Sequence, residues 1–452
     1  MNAAMSSNTV LWTYALAPDV DVQRAEQRVL LRTAAGQIRI EATADIDAID
    51  LLAGSHNSEA QIRARLRPSG SDSNADERCA ALLAGLERRG LLTRGLSISG
   101  RQLASSVPLR PPPHDFPQRA PEGMLRLSPH AIARAEAGLM VLEVPGAWAK
   151  MIIHDRALFS LLHDLAAGTS AGELTTEFSA ETIRAVLALM DWCGLLDLDG
   201  SHGWSAHDLL FHARTRAGYA RGLRGKIAAK EDDSVLPGPY DTASGTHRIP
   251  LPQPDLRRLL AEDPPHALVA ERRRSVRQQG SASLTAAELS EFLFRTLHER
   301  DGRRPYPSGG GCYPLKAYVA VHRCLGLAPG LFAYDPIRHE LITVGEPGIG
   351  LDRLLADAAG AAAIESAPQI LVVLTAQYAR MQRMYPDIGY NLILKEVGAL
   401  FQAAMMAAAA MGLGVCPLGC GNTVLFSELA GVDPLIESSV GEIMLGSLQN
   451  TP

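Results

Sequence analysis

The sequence predicts an α+β protein of several domains, and three observations support this. The chain has 452 residues, which is too long for one ordinary hydrophobic core. In the first half, a pattern of two strand-like runs followed by helical spacing occurs twice. After about residue 250, longer helical patterns alternate with short apolar runs rich in β-branched residues. The hydrophobic content of 47% with 20% charged residues is that of a globular protein.

The first copy of the repeat lies in residues 1–106. Its strand-like runs are Arg28–Arg32 and Gln37–Glu41. Apolar residues at helical spacing follow from Ile46 to Leu86, and the copy closes with Gly90-Leu91-Leu92. Two strands, three short helices and a terminal Gly-Leu-Leu predict a small winged-helix-like domain.

The second copy lies in residues 123–200 and repeats that order. Its strand-like runs are Leu139–Glu143 and Lys150–His154, and its closing residues are Gly194-Leu195-Leu196. The proline-rich segment 107–122 between the copies predicts an extended linker. Winged-helix domains bind DNA or, in peptide-modifying enzymes, an extended peptide as an added strand. The net charge of −6 and the few basic residues on the last helix of copy two disfavour nucleic acid.

A bridging segment, residues 201–250, follows the repeats. It opens with a W-x3-D-x2-FH-x-R-x-R pattern that places Asp208 and His212 four residues apart on one helical face. Two ligands could begin a metal site, but no third is in view, so a capped or salt-bridged structural helix is favoured. We therefore predict no metal.

Cysteine usage and hydropathy indicate a cytoplasmic protein. The six cysteines form no CxxC pair and no zinc spacing and predict reduced thiols. The most apolar stretch, Val397–Val415, contains Gln402 and glycines, which predicts a buried helix ending at Gly412 rather than a membrane span. The first residues lack the pattern of an export signal.

Three segments of residues 251–452 carry residues suited to a flat, anionic ligand. The run Arg273-Arg274-Ser275-Val276-Arg277 alternates guanidinium and hydroxyl groups that can reach phosphate oxygens together. The turn Pro307-Ser308-Gly309-Gly310 can bring backbone N–H groups against a ligand because glycine has no Cβ. A third segment follows the apolar helix and contains Gly412, Gly414 and Gly419. A helix cap and a turn into a strand explain Gly412 equally well.

In this order, these segments resemble the flavin site of the nitroreductase fold, in the SagB-type form that oxidises thiazolines and oxazolines in peptides. The resemblance includes cyanobactin-oxidase-like members with N-terminal peptide-clamp domains. It implies a nitroreductase-like FMN domain over residues 251–452, a mixed sheet flanked by helices. It also implies that Arg273, Arg274, Ser275 and Arg277 hold FMN with the three glycines, while the Pro307–Gly310 turn reaches the ring from the neighbouring subunit of a homodimer.

The catalytic candidates are Tyr385 and Lys395. Azoline oxidation needs a base for a C–H proton while a hydride leaves for the flavin, and tyrosinate or neutral lysine could serve. The resemblance implies a Lys-Tyr pair, but this chain has Met384-Tyr385, which leaves Lys395 as a substitute. Pro386 predicts a helix start that leaves Tyr385 just outside, with Lys395 in the third turn. The helix dipole would then favour a phenolate at Tyr385.

The resemblance implies an FMN-dependent dehydrogenase that converts azolines to thiazoles or oxazoles in a ribosomally made precursor peptide with a leader. Molecular oxygen would reoxidise the flavin. A separate cyclodehydratase would act first, because no segment of the chain resembles an ATP or zinc site. Two alternatives stay open: an NAD(P)H-dependent nitroreductase or quinone reductase on the same fold, and a peptide-binding scaffold with a degenerate flavin site.

Overall fold

The computed structural model describes residues 9–25, 28–33, 36–40, 43–67, 74–174, 177–197, 203–216 and 247–449. The chain divides into two compact units, Met1–Arg224 and Gly225–Pro452. Both combine helices with antiparallel sheets, which confirms the predicted α+β class. The boundaries predicted for the separate domains remain predictions.

The first unit contains strands β1–β12 and helices α1–α6. Its strands are Val10–Leu16, Asp21–Ala25, Arg28–Thr33, Gly36–Ile40, Asn57–Ser58, Leu92–Ile98, Arg101–Pro108, Met124–Leu125, Ile132–Glu136, Leu139–Glu143, Ala149–Ile153 and Thr169–Ser170. Its helices are Thr43–Gly54, Glu59–Leu66, Ala75–Arg88, Leu158–Ala167, Ala180–Trp192 and Ala206–Thr215. The hairpins predicted in the two copies are β3–β4 and β10–β11. The second copy has helices α4 and α5, and no third helix is described between them.

A seven-stranded sheet in the order β5-β1-β6-β7-β11-β10-β9 joins strands from both copies. Strand β7 pairs with β6 on one side and with β11 on the other. The predicted extended linker therefore begins inside a strand, because Val107 and Pro108 are its last residues. Beyond the strand, Phe116 contacts the rings of Trp12 and Trp192 at centroid distances of 4.9 and 5.1 Å. Aromatic packing thus fixes the middle of the segment.

Helix α6 lies in the first unit and forms part of the predicted bridging segment, residues 201–250. Its N-cap, Ser205, accepts a hydrogen bond from the Asp208 backbone N–H and donates one to the Asp208 carboxylate at 2.6 Å. Arg214 donates to both oxygens of the buried Glu143 at 2.6 and 2.7 Å. Among the described residues no group of three metal-ligating side chains occurs. The capped, salt-bridged helix is the arrangement that the sequence favoured; bridge residues 217–246 lie outside the described residues.

The second unit contains strands β13–β21 and helices α7–α13. Its strands are Arg248–Pro250, Leu284–Thr285, Leu315–Val321, Cys324–Leu325, Gly330–Asp335, Glu340–Gly345, Ile370–Gln377, Leu413–Leu418 and Glu437–Ser447. Its helices are Leu256–Glu262, His266–Arg272, Ala286–Thr296, Ile349–Ala361, Tyr378–Met384, Gly389–Met411 and Thr423–Ala430. A short 3-10 turn spans Gly309–Gly311.

The sheet of the second unit has the order β13-β18-β17-β15-β19-β21-β20. All its neighbouring strands are antiparallel, so the mixed sheet that the resemblance implied is wrong for the described strands. Side chains from α9 and α12 belong to the core on one face, and those from α10 and α13 to the core on the other. Strand β19 is buried along nearly its whole length because both faces of the sheet are covered. Its continuous apolar run is typical of a strand buried on both faces.

Helix α12 contacts both parts of the candidate site described below. It runs from Gly389 to Met411 and ends at Gly412, whose φ of 68° is the left-handed cap conformation that favours glycine. It is the one described helix long and apolar enough to cross a membrane by length and composition. Its buried stripe packs in the core with α9 and the sheet, as the sequence predicted.

Candidate functional site

The arginine run lies against strand β20. The Val276 N–H donates to the Val415 carbonyl oxygen at 2.8 Å, which fixes the run on the strand that follows α12. Ser275 hydrogen-bonds to the Cys416 thiol and Arg277 lies close to it. Burial raises the pKa of Cys416, and these two groups oppose the rise. The guanidinium of Arg273 reaches Met405 of α12, with Nη1 3.9 Å from Sδ.

The structure therefore brings the run together with Gly414, on the strand that follows α12. Arg274, Ser275 and Arg277 are exposed, so their polar groups are accessible to an anionic ligand. Gly414 has little free space, because a Cβ there would lie 3.1 Å from Val276 Cγ1. A Cβ at Gly419 would meet nothing within 4 Å. Gly414 thus permits close packing of the run, while Gly419 borders open space.

The Pro307–Gly310 turn lies against the first half of α12. Glu396 Oε1 accepts hydrogen bonds from the Ser308 hydroxyl at 2.9 Å and from the Gly309 N–H at 2.8 Å. Gly310 has a φ of 61°, a conformation that costs other residues free energy. A Cβ there would lie 2.6 Å from Met384 Cε and 3.3 Å from the Tyr385 hydroxyl.

Tyr385 thus lies beside the glycine turn. The helix start predicted at Pro386 is wrong. Helix α12 begins at Gly389, and Tyr385 is the C-cap of α11, whose N–H donates to Met381 O at 2.8 Å. Pro386 lies between the two helices instead of in a first turn. Because Tyr385 follows the carboxyl end of α11, that helix dipole does not stabilise a phenolate there.

Lys395 also differs from expectation. It is in the second turn of α12, not the third, and its side chain is exposed. The next residue, Glu396, is buried.

Sequence reasoning missed Glu396 as a site residue. It is 4% exposed and lies on the buried stripe of α12 at helical spacing from Ile393 and Leu400. A charged residue on an apolar stripe is a signal that could have identified it. Burial raises the pKa of Glu396, while its hydrogen bonds from Gly309 and Ser308 and the charge of Arg304 oppose the rise.

The two groups of candidate residues contact different turns of α12. Glu396 holds the glycine turn, and Met405, nine residues later, contacts the arginine run. Nine residues of α-helix correspond to about 13 Å. The chain thus presents guanidinium groups beside the second half of α12 and the Pro307–Gly310 turn beside the first half.

Comparison with known proteins identifies the second unit. A sequence model of the nitroreductase family matches residues 270–447. A protein of Methanocaldococcus jannaschii assigned as a nitroreductase is 35% identical over 168 residues, which cover 37% of this chain and 81% of that protein. The chain belongs to the nitroreductase family, as the resemblance predicted. A second family, described as cyanobactin oxidase ThcOx, matches residues 125–221 in the first unit.

Three solved structures show weaker likeness. A nitroreductase from Ralstonia eutropha has 22% identity and a TM-score of 0.36, covering 51% of this chain and 97% of its own. The Escherichia coli microcin synthetase McbBCD complex with truncated pro-MccB17 has 20% identity and a TM-score of 0.35, covering 39% and 71%. A nitroreductase in complex with FMN from Desulfovibrio desulfuricans has 17% identity and a TM-score of 0.29, covering 42% and 93%. TM-scores of this size do not establish a common fold.

The two family matches lie in the two compact units in the order that the resemblance implied. Together they support a flavin oxidoreductase that acts in the biosynthesis of ribosomally made, modified peptides.

Proposed function

We propose that the protein is an FMN-dependent dehydrogenase that oxidises thiazoline or oxazoline rings in a precursor peptide. The combination of a nitroreductase-family unit with a cyanobactin-oxidase match in the preceding unit carries this proposal. It acts in the cytoplasm on a peptide already cyclised by a separate cyclodehydratase. When bound, FMN would supply a hydride acceptor and a route for the electrons to oxygen, and the residues of the chain would supply position and electrostatics.

The residues present fit FMN. Arg273, Arg274 and Arg277 provide three guanidinium groups for the phosphate, and Ser275 provides a hydroxyl, on a backbone fixed to β20 by Val276. Gly419 borders open space beside the same strand. The Pro307–Gly310 turn offers a surface without side chains, apart from Ser308, against which a flat ring can lie.

Tyr385 is our candidate for the group that receives the C–H proton. Its hydroxyl faces Gly310 of the turn, which is the position that a base beside the flavin ring requires. Lys395 is the less direct candidate, because its side chain is exposed on α12 and no contact of that side chain with the turn is described. A tyrosine base would also explain how the site can act although Met384 occupies the position where the resemblance implies a lysine.

The assay that tests the function is anaerobic bleaching of the flavin by excess azoline peptide, with loss of two hydrogens per ring measured by mass spectrometry. We expect bleaching by the peptide and not by NAD(P)H. In Tyr385→Phe, loss of the base should slow bleaching about 10²–10⁴-fold at unchanged flavin content. Bleaching by NAD(P)H alone would instead favour the nitroreductase activity that the Methanocaldococcus jannaschii relative suggests.

The first unit is the proposed peptide clamp. Strand β4, Gly36–Ile40, lies at the edge of the sheet β2-β3-β4, so one side of its backbone is unpaired within the described strands. The corresponding strand of the second copy, β11, is paired on both sides, with β10 and β7. An extended leader peptide can therefore add to β4 but not to β11.

Hydrogen-exchange mass spectrometry tests this clamp. Saturating precursor peptide should protect amides of Gly36–Ile40, while those of Ala149–Ile153 serve as the internal control because they are already paired. Protection confined to other segments would exclude strand addition at β4.

We further propose a two-fold homodimer with two flavins at the interface. The motivation is the division of the site between the two halves of α12, since the glycine turn of one chain can complete the arginine cluster of another. Exposed apolar side chains of this unit could be covered by a partner, including Leu260, Ile349 and Leu435 at 89%, 88% and 87% exposure. A monomer that retains flavin in sedimentation at low concentration would contradict the dimer.

A further inference from the structure

The carboxyl group of Glu396 has one oxygen that no described residue satisfies. Oε1 accepts from Ser308 and Gly309, whereas Oε2 is buried and has no hydrogen-bond partner among the described residues. Each oxygen of a buried carboxylate usually has at least one hydrogen-bond partner. If its only role were to anchor the turn, the unpaired Oε2 would be a cost without a benefit.

The Ser308 hydroxyl connects this carboxyl group to the glycine turn. Its oxygen accepts the Tyr313 N–H at 2.8 Å and its proton is donated to Glu396 at 2.9 Å. A hydroxyl oxygen has two lone pairs, so one remains. Ser308 is half-buried rather than enclosed. A proton can therefore arrive at Ser308 while the hydroxyl proton moves on to Glu396.

The charged and titratable groups around Glu396 leave it able to take up that proton. Arg304 is the nearby cation, but its guanidinium contacts Glu299, the Tyr306 hydroxyl and the Leu315 carbonyl oxygen. Tyr306 is buried beside it and Tyr385 flanks the turn, and neither is a cation. Lys395, next to it on α12, is exposed. Burial without a dedicated counter-charge raises the pKa of Glu396, which makes its carboxylate a stronger base than an exposed glutamate.

We propose that Ser308 and Glu396 form a proton relay in which Ser308 takes the proton from Tyr385 and Glu396 is the terminal acceptor. This inference rests on the proposed azoline oxidation and deepens it. Tyr385 Cε2 and Glu396 Oε1 lie 3.5 and 3.7 Å from the Cβ position of Gly309, so both side chains face the turn that carries Ser308. The substrate C–H proton passes to the Tyr385 oxygen as the Tyr385 hydroxyl proton passes to Ser308 Oγ and the Ser308 hydroxyl proton passes to the Glu396 carboxylate. The ring also gives up a hydride to the flavin, so it loses one proton and one hydride, and the electron pair left by the proton forms the new double bond.

The direct test is a carboxyl titration of the flavin-free protein by infrared difference spectroscopy. We expect a protonated-carboxyl band, present above the pH at which ordinary glutamates ionise, that disappears in Glu396→Gln. Glu442→Gln is the matched control, because Glu442 is also buried and burial also raises its pKa. Absence of any band removed by Glu396→Gln would overturn the relay, whether or not the protein oxidises azolines.

The kinetic test separates a relay from an anchor. Glutamine can still accept from Ser308 and Gly309, so Glu396→Gln should bind FMN normally. Its flavin bleaching by azoline should fall about 10²–10⁴-fold and lose the rise with pH that reports ionisation of the base. Ser308→Ala should slow bleaching similarly. Wild-type bleaching and pH profile in Glu396→Gln would show that Glu396 only anchors the turn. Failure of the wild-type protein to bleach would contradict the proposed function itself, and the infrared titration would still decide the acceptor.

Discussion

Substitution of Gly310 by alanine tests whether the glycine turn and Tyr385 act as one unit. Gly310 and its neighbour Gly311 have φ values of 61° and 67°, so alanine at either position should cost about 1–2 kcal/mol of backbone strain. The surroundings differ. A Cβ at Gly310 would lie 2.6 Å from Met384 Cε and 3.3 Å from the Tyr385 hydroxyl, whereas one at Gly311 would meet nothing within 4 Å.

Gly311→Ala is therefore a matched control for the strain alone. The methyl group at position 310 must displace the flexible end of Met384, which we expect to add about 1 kcal/mol. Because Met384 precedes Tyr385 in the chain, the tyrosine should shift with it. A displacement near 1 Å can cost about 10²-fold in rate. Bleaching by azoline should thus fall strongly in Gly310→Ala and little in Gly311→Ala, at similar stability.

The assay is anaerobic stopped-flow bleaching, with flavin content and urea unfolding measured for each variant. The double variant Gly310→Ala/Met384→Ala removes the obstructing methyl group and should recover most of the rate, with Met384→Ala alone as its control. Equal slowing in Gly310→Ala and Gly311→Ala would refute the reasoning, as would a double variant no faster than Gly310→Ala.

Three further predictions concern the second unit. Arg277→Ala should weaken FMN binding by about 1.5–3 kcal/mol, roughly tenfold to a hundredfold in affinity. The control is Arg272→Ala, at the exposed end of α8, which should not weaken FMN binding. Equal effects of the two substitutions in a flavin titration would show that Arg277 does not bind the phosphate. Lys316→Met should destabilise the second unit by about 3–5 kcal/mol. Lys316 donates a hydrogen bond to the Glu437 carboxylate at 2.7 Å, and both side chains are buried, so the substitution would leave a buried carboxylate without its cation. Urea unfolding followed by circular dichroism measures this loss, and fluorescence from the four tryptophans, all in the first unit, is the control. Burial, and to a smaller extent the charge of His298, lower the pKa of His339 from 6.5 to about 4. As the pH falls, the unfolded chain therefore binds a proton at this histidine before the folded protein does. About 3 kcal/mol of folding stability should be lost as the pH falls from 6.5 to 4. His339→Asn, which tolerates the φ of 55°, should flatten this pH dependence, and an unchanged slope in thermal unfolding would contradict the assignment.

The sequence alone determined the features that depend on neighbouring residues. Short apolar runs rich in β-branched residues predicted strands such as β19, and Gly412 predicted the end of α12. The order of the arginine run, the glycine turn and the later glycines was sufficient to indicate the family. Each of these signals lies within a few residues of chain, where side-chain periodicity and allowed backbone angles are decided locally.

Only the tertiary structure decided which groups meet. Glu396 lies 87 residues after Gly309 in the chain, and no local pattern joins them. Tyr385 is beside the turn because α11 ends there, although Pro386 suggested a helix start. Strand β7 joins the two copies in one sheet across a segment whose prolines predicted a linker. Backbone pairing and burial of a carboxyl group depend on contacts between distant segments, and periodicity along the chain does not encode those contacts.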